Sequence, residues 1–226
     1  MIEIEAKILV FDLDDTLSLE RDFAESGFRA LAGEFGERIG GERFERECRE
    51  LLASGTRGNI FNLALSRCRI EPTHALIAEL VACFRAHQPE IAFCADVSRF
   101  FDRTCRMRTG LITDGPKEAQ CGKIKALGLK AMIDHIVVTG EWAKEYSKPH
   151  PRAFQTIESL TSSSKRDLVY IADNGAKDFI APRQLGWQTI QILRPARIHC
   201  GLPSEPDHEA DFVITSFDEL TVKPIA

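Results

Sequence analysis

Six short apolar runs punctuate the chain, at 7–12, 107–113, 135–140, 168–173, 188–193 and 211–214. Short continuous runs rich in Ile and Val are the pattern of strands buried on both faces. The segments between the later runs carry helical periodicity. Strands alternating with helices predict an α/β fold, a parallel sheet covered by helices on both faces.

The stretch from 18 to 94 breaks that alternation. It offers no convincing strand, only apolar residues at helical spacing. Phe44, Cys48, Leu51 and Leu52 fall at i, i+4, i+7 and i+8, and Leu76, Leu80, Val81 and Phe84 line a second such face. Phe23, Gly27, Leu31 and Phe35 recur every fourth residue on an earlier helix. Pro72 stands where a helix would begin, and Pro89 follows one that ends. The pattern predicts four helices inserted after the first strand. The boundaries fall at 1–17 plus 95–226 for the sheet domain and 18–94 for the insertion.

Composition narrows the classes. The chain has 226 residues, 44% apolar and 28% charged, which suits a globular protein with a real core. Its formal net charge of -5 mixes both signs, with no basic stripe to follow a phosphate backbone, so nucleic acid is not an expected partner. No run approaches the roughly 18 apolar residues of a membrane helix, and "MIEIEAK" lacks the apolar core of a signal peptide. The seven cysteines form no CxxC pair. Reduced thiols in a cytoplasmic protein are the expectation.

The candidate chemistry gathers where the runs end. "KILVFDLDDTL" sets Asp12, Asp14 and Asp15 directly after the first run. If the strand continued through them, Asp12 and Asp14 would face one side. Two carboxylates about 4 Å apart repel by roughly 1–4 kcal/mol, so one takes a proton or a cation bridges them. Oxygen ligands of this kind suit Mg²⁺. Taken alone, an Asp-x-Asp is more often a solvated or capping loop.

The second run ends in "LITDG", giving Thr113 and the turn residue Asp114 ahead of a helix from Pro116. That is an anion site or an ordinary helix start. "EYSKPHPRAF" puts Lys148 before a proline, which holds it extended at the start of a helix, with Lys144 as a local competitor. "YIADNGAKDF" ends a run at Asp173 and places Asp178 five residues on, in what is also a good turn sequence. Together these strand ends set anionic metal ligands opposite a lysine and a hydroxyl suited to phosphate.

In that order, "DLDDTL", "LITDG", "SKPHPRAF" and "ADNGAKDF" resemble the four motifs of the haloacid dehalogenase superfamily. The resemblance covers essentially the whole chain. It implies a Rossmann-like sheet, with the helical insertion as a cap of the C1 type. It implies that Asp12 is a nucleophile forming an aspartyl-phosphate and that Asp14 is the general acid and then base. Thr113 and Lys148, with the turn at Asp114, would hold the phosphoryl group. Asp173 would bind Mg²⁺ with the Asp12 carboxylate and the Asp14 backbone carbonyl, while Asp178 would orient Lys148 or a metal-bound water.

The family's dehalogenases lack the second aspartate of the first motif, because halide needs no proton on leaving. Asp14 therefore favours phosphate ester hydrolysis over carbon–halogen cleavage. A phosphomutase of the β-phosphoglucomutase type shares every catalytic residue and stays open, as does, more remotely, a non-catalytic binding protein. Two departures stand out: Asp114 where asparagine is frequent, and Ala172 where glycine is. A cap of this size implies a small soluble phosphorylated metabolite, of the sugar phosphate or nucleotide class. Arg57 and Asn59 in "SGTRGNIFN", and Glu20 and Arg21 past the first motif, are the substrate-contact candidates. The arginines of "RPARIHC" read as a solvated loop.

Overall fold

The computed structural model describes residues 1–105, 107–203 and 205–225. The chain divides into two compact units, residues 1–20 with 92–226, and residues 21–91. In chain order the helices are α1 (Glu20–Glu34), α2 (Gly36–Ile39), α3 (Gly41–Ala53), α4 (Ile60–Arg67) and α5 (His74–Ala86), then α6 (Ala95–Arg103), α7 (Lys117–Ala126), α8 (Arg152–Thr161) and α9 (Ile180–Gln184). The strands are β1 (Ile2–Ala6), β2 (Ile8–Phe11), β3 (Arg108–Thr113), β4 (His135–Val138), β5 (Leu168–Ala172), β6 (Gln188–Ile192), β7 (Phe212–Ile214) and β8 (Leu220–Pro224). Among the described residues, no helix is long and apolar enough to cross a membrane.

In the first unit, six strands form one sheet in the order β4-β3-β2-β5-β6-β7, every neighbouring pair parallel. Each of the six apolar runs became one of these strands, within a residue or two at the ends. The central strand shows why the runs are continuous. Ile8 and Val10 pack with Ile112, Tyr170, Phe154, Ile157 and Trp187 on one face. Phe11 meets Phe100 and Phe101 of α6 edge-on, and also Phe217. A strand covered on both sides has no position left for a polar residue.

The strand order reverses between β2 and β5, since β3 and β4 lie to one side and β5, β6 and β7 to the other. A crevice opens at the carboxyl ends of strands at such a switch point, and ligands of open α/β sheets bind there. Two strands were not expected. β1 and β8 pair in parallel as a separate two-stranded sheet. "IEIEA" alternates apolar and acidic residues, a strand signal that is easily taken for a charged terminus.

The second unit is helical throughout its described residues, with a short additional turn, α2, beyond the four expected helices. Its core is aromatic. Phe28, Phe61 and Phe84 pack ring against ring, and Phe23 meets Phe84 and His87. Gly27 is what admits Phe84: a Cβ there would lie 2.3 Å from the ring.

Candidate active site

β2 stops at Phe11, so strand alternation does not reach Asp12 and Asp14. Asp14 pairs with Ser18 in an isolated bridge, and Asp15 turns into the left-handed region at φ 53°. Asp15 is held there because its carboxylate accepts the N–H groups of Glu20 (3.0 Å) and Ile198 (2.6 Å). The Asp12 and Asp14 carboxylates each have their own lysine, which leaves the Asp14 backbone carbonyl as that residue's expected ligand to a cation shared with Asp12.

Asp12 is the first residue past the central strand, and its N–H still bonds to Ile171 of β5 at 2.9 Å. Its carboxylate accepts from Lys148 Nζ at 2.6 Å. That ammonium is wholly buried; it also donates to the Tyr170 hydroxyl (3.0 Å) and lies 2.7 Å from Asp178 Oδ1 as an ion pair. Lys144, the local competitor, is exposed. Lys148 does not open a helix, because α8 starts only at Arg152 and Lys148 sits in the turn before it. Asp178 Oδ2 accepts the Asn174 N–H at 3.0 Å, so the Asp-Asn-Gly turn forms as well.

Oxygens of Asp12, Asp173 and Asp178 lie within 4.8 Å of one another, and all three residues are buried. Two of these carboxylates, Asp12 and Asp178, lie against one buried ammonium, and Asp173 stands beside them without an ion pair to it among the described residues. Burial pushes the Asp173 carboxyl up to about 9, with Asp12 and Asp178 adding repulsion. Burial likewise raises Asp12 to about 7, against the pull of Lys148. Burial alone would lower Lys148, but Asp12 and Asp178 outweigh it and hold the ammonium charged.

A divalent cation fits this donor set. All the oxygens are hard carboxylates, and Asp173 Oδ2 is buried with no hydrogen-bond partner among the described residues. A buried acceptor left bare in this way needs a ligand, and Mg²⁺ takes one or two carboxylates and keeps waters or phosphate in its remaining positions. Asp12, Asp173 and Asp178 are the carboxylates that would hold it; Asp178 Oδ1 also has no hydrogen-bond partner among the described residues, although it forms an ion pair with Lys148. The Asp14 carboxylate is not part of this cluster.

Asp14 is instead gripped from α7. Lys123 Nζ donates to Oδ1 at 2.6 Å and Gln120 Nε2 to Oδ2 at 3.0 Å. Gln120 Oε1 in turn accepts the Thr113 hydroxyl at 3.0 Å. Asp114 accepts from the Thr139 hydroxyl (2.7 Å), the Lys148 N–H (3.2 Å) and Lys177 Nζ (2.9 Å). Burial raises its carboxyl, but Lys148 and Lys177 more than reverse this and hold it below the ordinary value. The loops after β3 and β4 touch closely: a Cβ at Gly140 would fall 2.0 Å from the Gly115 carbonyl oxygen. Glycine at 140 is therefore what lets Thr139 reach Asp114.

The remaining candidates divide. The Glu20 carboxylate pairs with His199 at 2.9 Å, while Arg21 is exposed. Arg57 turns its Nη1 onto the carbonyls of Leu52, in the last turn of α3, and of Thr56, and Asn59 precedes α4 without a side-chain cap bond. Arg194 is no solvated loop residue. It is buried, donates Nε and Nη2 to the Thr16 carbonyl, and pairs with Asp96. Gln120, Lys123, Tyr170 and Lys177 were absent from the sequence candidates. Only the three-residue spacing of Gln120 and Lys123, one helical turn apart just after the second motif, could have hinted at them.

The sequence model of the haloacid dehalogenase-like hydrolases matches residues 9–192. Glyceraldehyde 3-phosphate phosphatase of Pyrococcus furiosus is 24% identical over 224 residues, covering 95% of this chain and 91% of that protein. Glyceraldehyde 3-phosphate phosphatase of Methanocaldococcus jannaschii is 28% identical over 114 residues; that match takes in 50% of this chain and spans only 47% of the relative's length. Among solved structures, the HAD-hydrolase YfnB of Bacillus subtilis, bound to magnesium, superposes with a TM-score of 0.69 at 17% identity, covering 95% of this chain and 96% of that one. That likeness speaks for the fold.

Proposed function

The chain belongs to the haloacid dehalogenase-like hydrolase family, and we propose that it is a Mg²⁺-dependent phosphatase of small organic phosphate monoesters, working through an aspartyl-phosphate on Asp12. The observation that carries this reading is the gathering of the Asp12, Asp173 and Asp178 carboxylates within 4.8 Å of one another, with the buried Lys148 ammonium paired to Asp12 and Asp178, where the strand order reverses. Asp14, on its own hydrogen-bond partners beside them, supplies what ester cleavage needs and halide loss does not.

The steps follow from these groups. An Asp12 oxygen attacks phosphorus, the bond from phosphorus to the ester oxygen breaks, and its electron pair stays on that oxygen. Asp14 gives its proton to the departing oxygen, releasing the alcohol. Water then attacks the phosphoryl group with the Asp14 carboxylate taking its proton, the bond to Asp12 breaks, and inorganic phosphate leaves. Lys148 opposes the burial that raises Asp12 and faces the charge on the transferring oxygens. When bound, Mg²⁺ supplies further charge neutralisation at those oxygens. Thr113, at the end of β3, would donate its hydroxyl proton to a phosphoryl oxygen by turning it from Gln120.

The relatives named for glyceraldehyde 3-phosphate put triose phosphates first on a substrate panel, with other sugar phosphates and nucleotides after them. The test is release of inorganic phosphate, with Mg²⁺, from that panel and from p-nitrophenyl phosphate. Chelator should abolish turnover, and Asp12→Asn should lower it by at least about 10⁴-fold, as removal of a nucleophile does. Wild-type turnover by the Asp12→Asn protein would overturn the reading. Isomerised sugar phosphate in place of free phosphate would make the protein a mutase.

A further inference from the structure

The contacts of α7 single out two residues that the reaction above does not name. Lys123 Nζ lies 2.6 Å from Asp14 Oδ1, and Gln120 Nε2 lies 3.0 Å from Oδ2. One donor on each oxygen fixes the carboxylate against rotation about its Cβ–Cγ bond. The amide of Gln120 is itself oriented, because its Oε1 accepts the single proton of the Thr113 hydroxyl. One side chain thus sets both the acid–base group and the hydroxyl beside the phosphate position.

A purely structural tie between α7 and the loop after β2 would bury both partners. Here the burial is lopsided. The Lys123 side chain is 4% exposed, while that of Asp14 keeps 21%. The ammonium and the amide close off two sides of the carboxylate and leave the rest open to a reactant. Burying a lysine costs several kcal/mol unless it is paired, and here it is spent on a carboxylate that is kept reachable.

We propose that Lys123 and Gln120 are positioning residues, holding the Asp14 carboxylate for proton transfer to the leaving oxygen; this rests on the phosphatase reading above. They act through Asp14, so their effect depends on how much the leaving group needs a proton. A p-nitrophenolate departs with little help, and an alkoxide does not. A mispositioned acid therefore costs little on the first and much on the second.

The experiment measures kcat/KM, which reports the steps up to loss of the alcohol, for p-nitrophenyl phosphate and for an alkyl phosphate. The proteins are wild type, Asp14→Asn, Lys123→Met, Gln120→Met and the Asp14→Asn/Lys123→Met double variant. Lys123→Met and Gln120→Met should each lose about tenfold more on the alkyl ester than on the aryl ester, in keeping with the cost of a displaced catalytic group. In the double variant, the aryl-to-alkyl ratio should match that of Asp14→Asn alone. If Lys123→Met fails to fold, Gln120→Met, which keeps the volume, decides in the same way. Equal losses on both esters, with the Asp14→Asn split intact, overturn this proposal and leave the phosphatase reading standing. No phosphate release from either ester by wild type overturns both.

Discussion

Two clusters of buried charge lie in the same unit, and they are completed differently. Around Arg194 every charged group is paired, although the Thr16 hydroxyl beside it has no hydrogen-bond partner among the described residues. Asp96 accepts from Arg194 Nη1 on both oxygens, at 3.1 and 3.2 Å, and from the Ser216 hydroxyl and the Phe217 N–H. Burial would raise its carboxyl, but the Phe217 N–H and the arginine hold it below the ordinary value. Around Lys148 two carboxylates share one ammonium, a third, Asp173, crowds them, and its Oδ2 is bare among the described residues. The first cluster ties the loop after β6, through Thr16, to the first motif and to α6. The second is poorly finished as fold and well suited to receive a cation and a phosphate. Both are buried and both are ionic; completeness is what separates scaffold from site.

The largest way to sharpen that contrast is Arg194→Met. It strands Asp96 in the interior, and breaking a buried pair from one side costs about 3–5 kcal/mol. Urea unfolding should show that loss. A change under about 1 kcal/mol would return Arg194 to the solvated class the sequence suggested.

The opposite sign is expected at Asp173. In metal-free protein, Asp173→Asn removes a surplus carboxylate and should stabilise by roughly 1–3 kcal/mol, the scale of an unsatisfied buried group. Wild type should instead gain about 2.7 kcal/mol when Mg²⁺ reaches a hundred times its dissociation constant, and the variant should gain little. Thermal unfolding with chelator and with Mg²⁺ reads both effects. An Asp173→Asn protein that is less stable without metal and still responds to Mg²⁺ would make the Lys148 cluster ordinary scaffold.

The contrast also explains what was legible in the sequence. The six sheet strands stood out because burial on both faces leaves a continuous apolar run, ended by the polar residue that emerges at the crevice. Asp12, Thr113 and Asp173 were read that way, and Lys148 from its place ahead of a proline. What followed Phe11 was not legible, because the chain leaves the strand there and turns through a left-handed Asp15. Lys123 is 109 residues from Asp14, and Arg194 is 98 from Asp96. Nothing local marks such partners: a buried lysine and a surface lysine look alike until the sheet brings their carboxylates to them. β1 escaped because its pairing partner, β8, lies at the other end of the chain.

The finest separation of the two clusters is in pH. Asp173 is raised from 3.8 to about 9 in the folded protein, so between those values the unfolded chain binds fewer protons than the native one. Metal-free stability should therefore fall as pH rises across that window, and Asp12, raised to about 7, adds to the same limb. Asp96 is lowered, so its contribution is present above the ordinary carboxylate value and is lost as pH falls through the depressed one. The alkaline limb belongs to the site and the acid limb to the scaffold. Unfolding free energies with chelator, from about pH 2 to pH 9, should decline over the upper part of that range in wild type and flatten there in Asp173→Asn. An Asp96→Asn protein should keep the alkaline decline and lose part of the acid one. If Asp173→Asn declines as steeply as wild type, the surplus charge that marks this cluster as a site is not carried by Asp173.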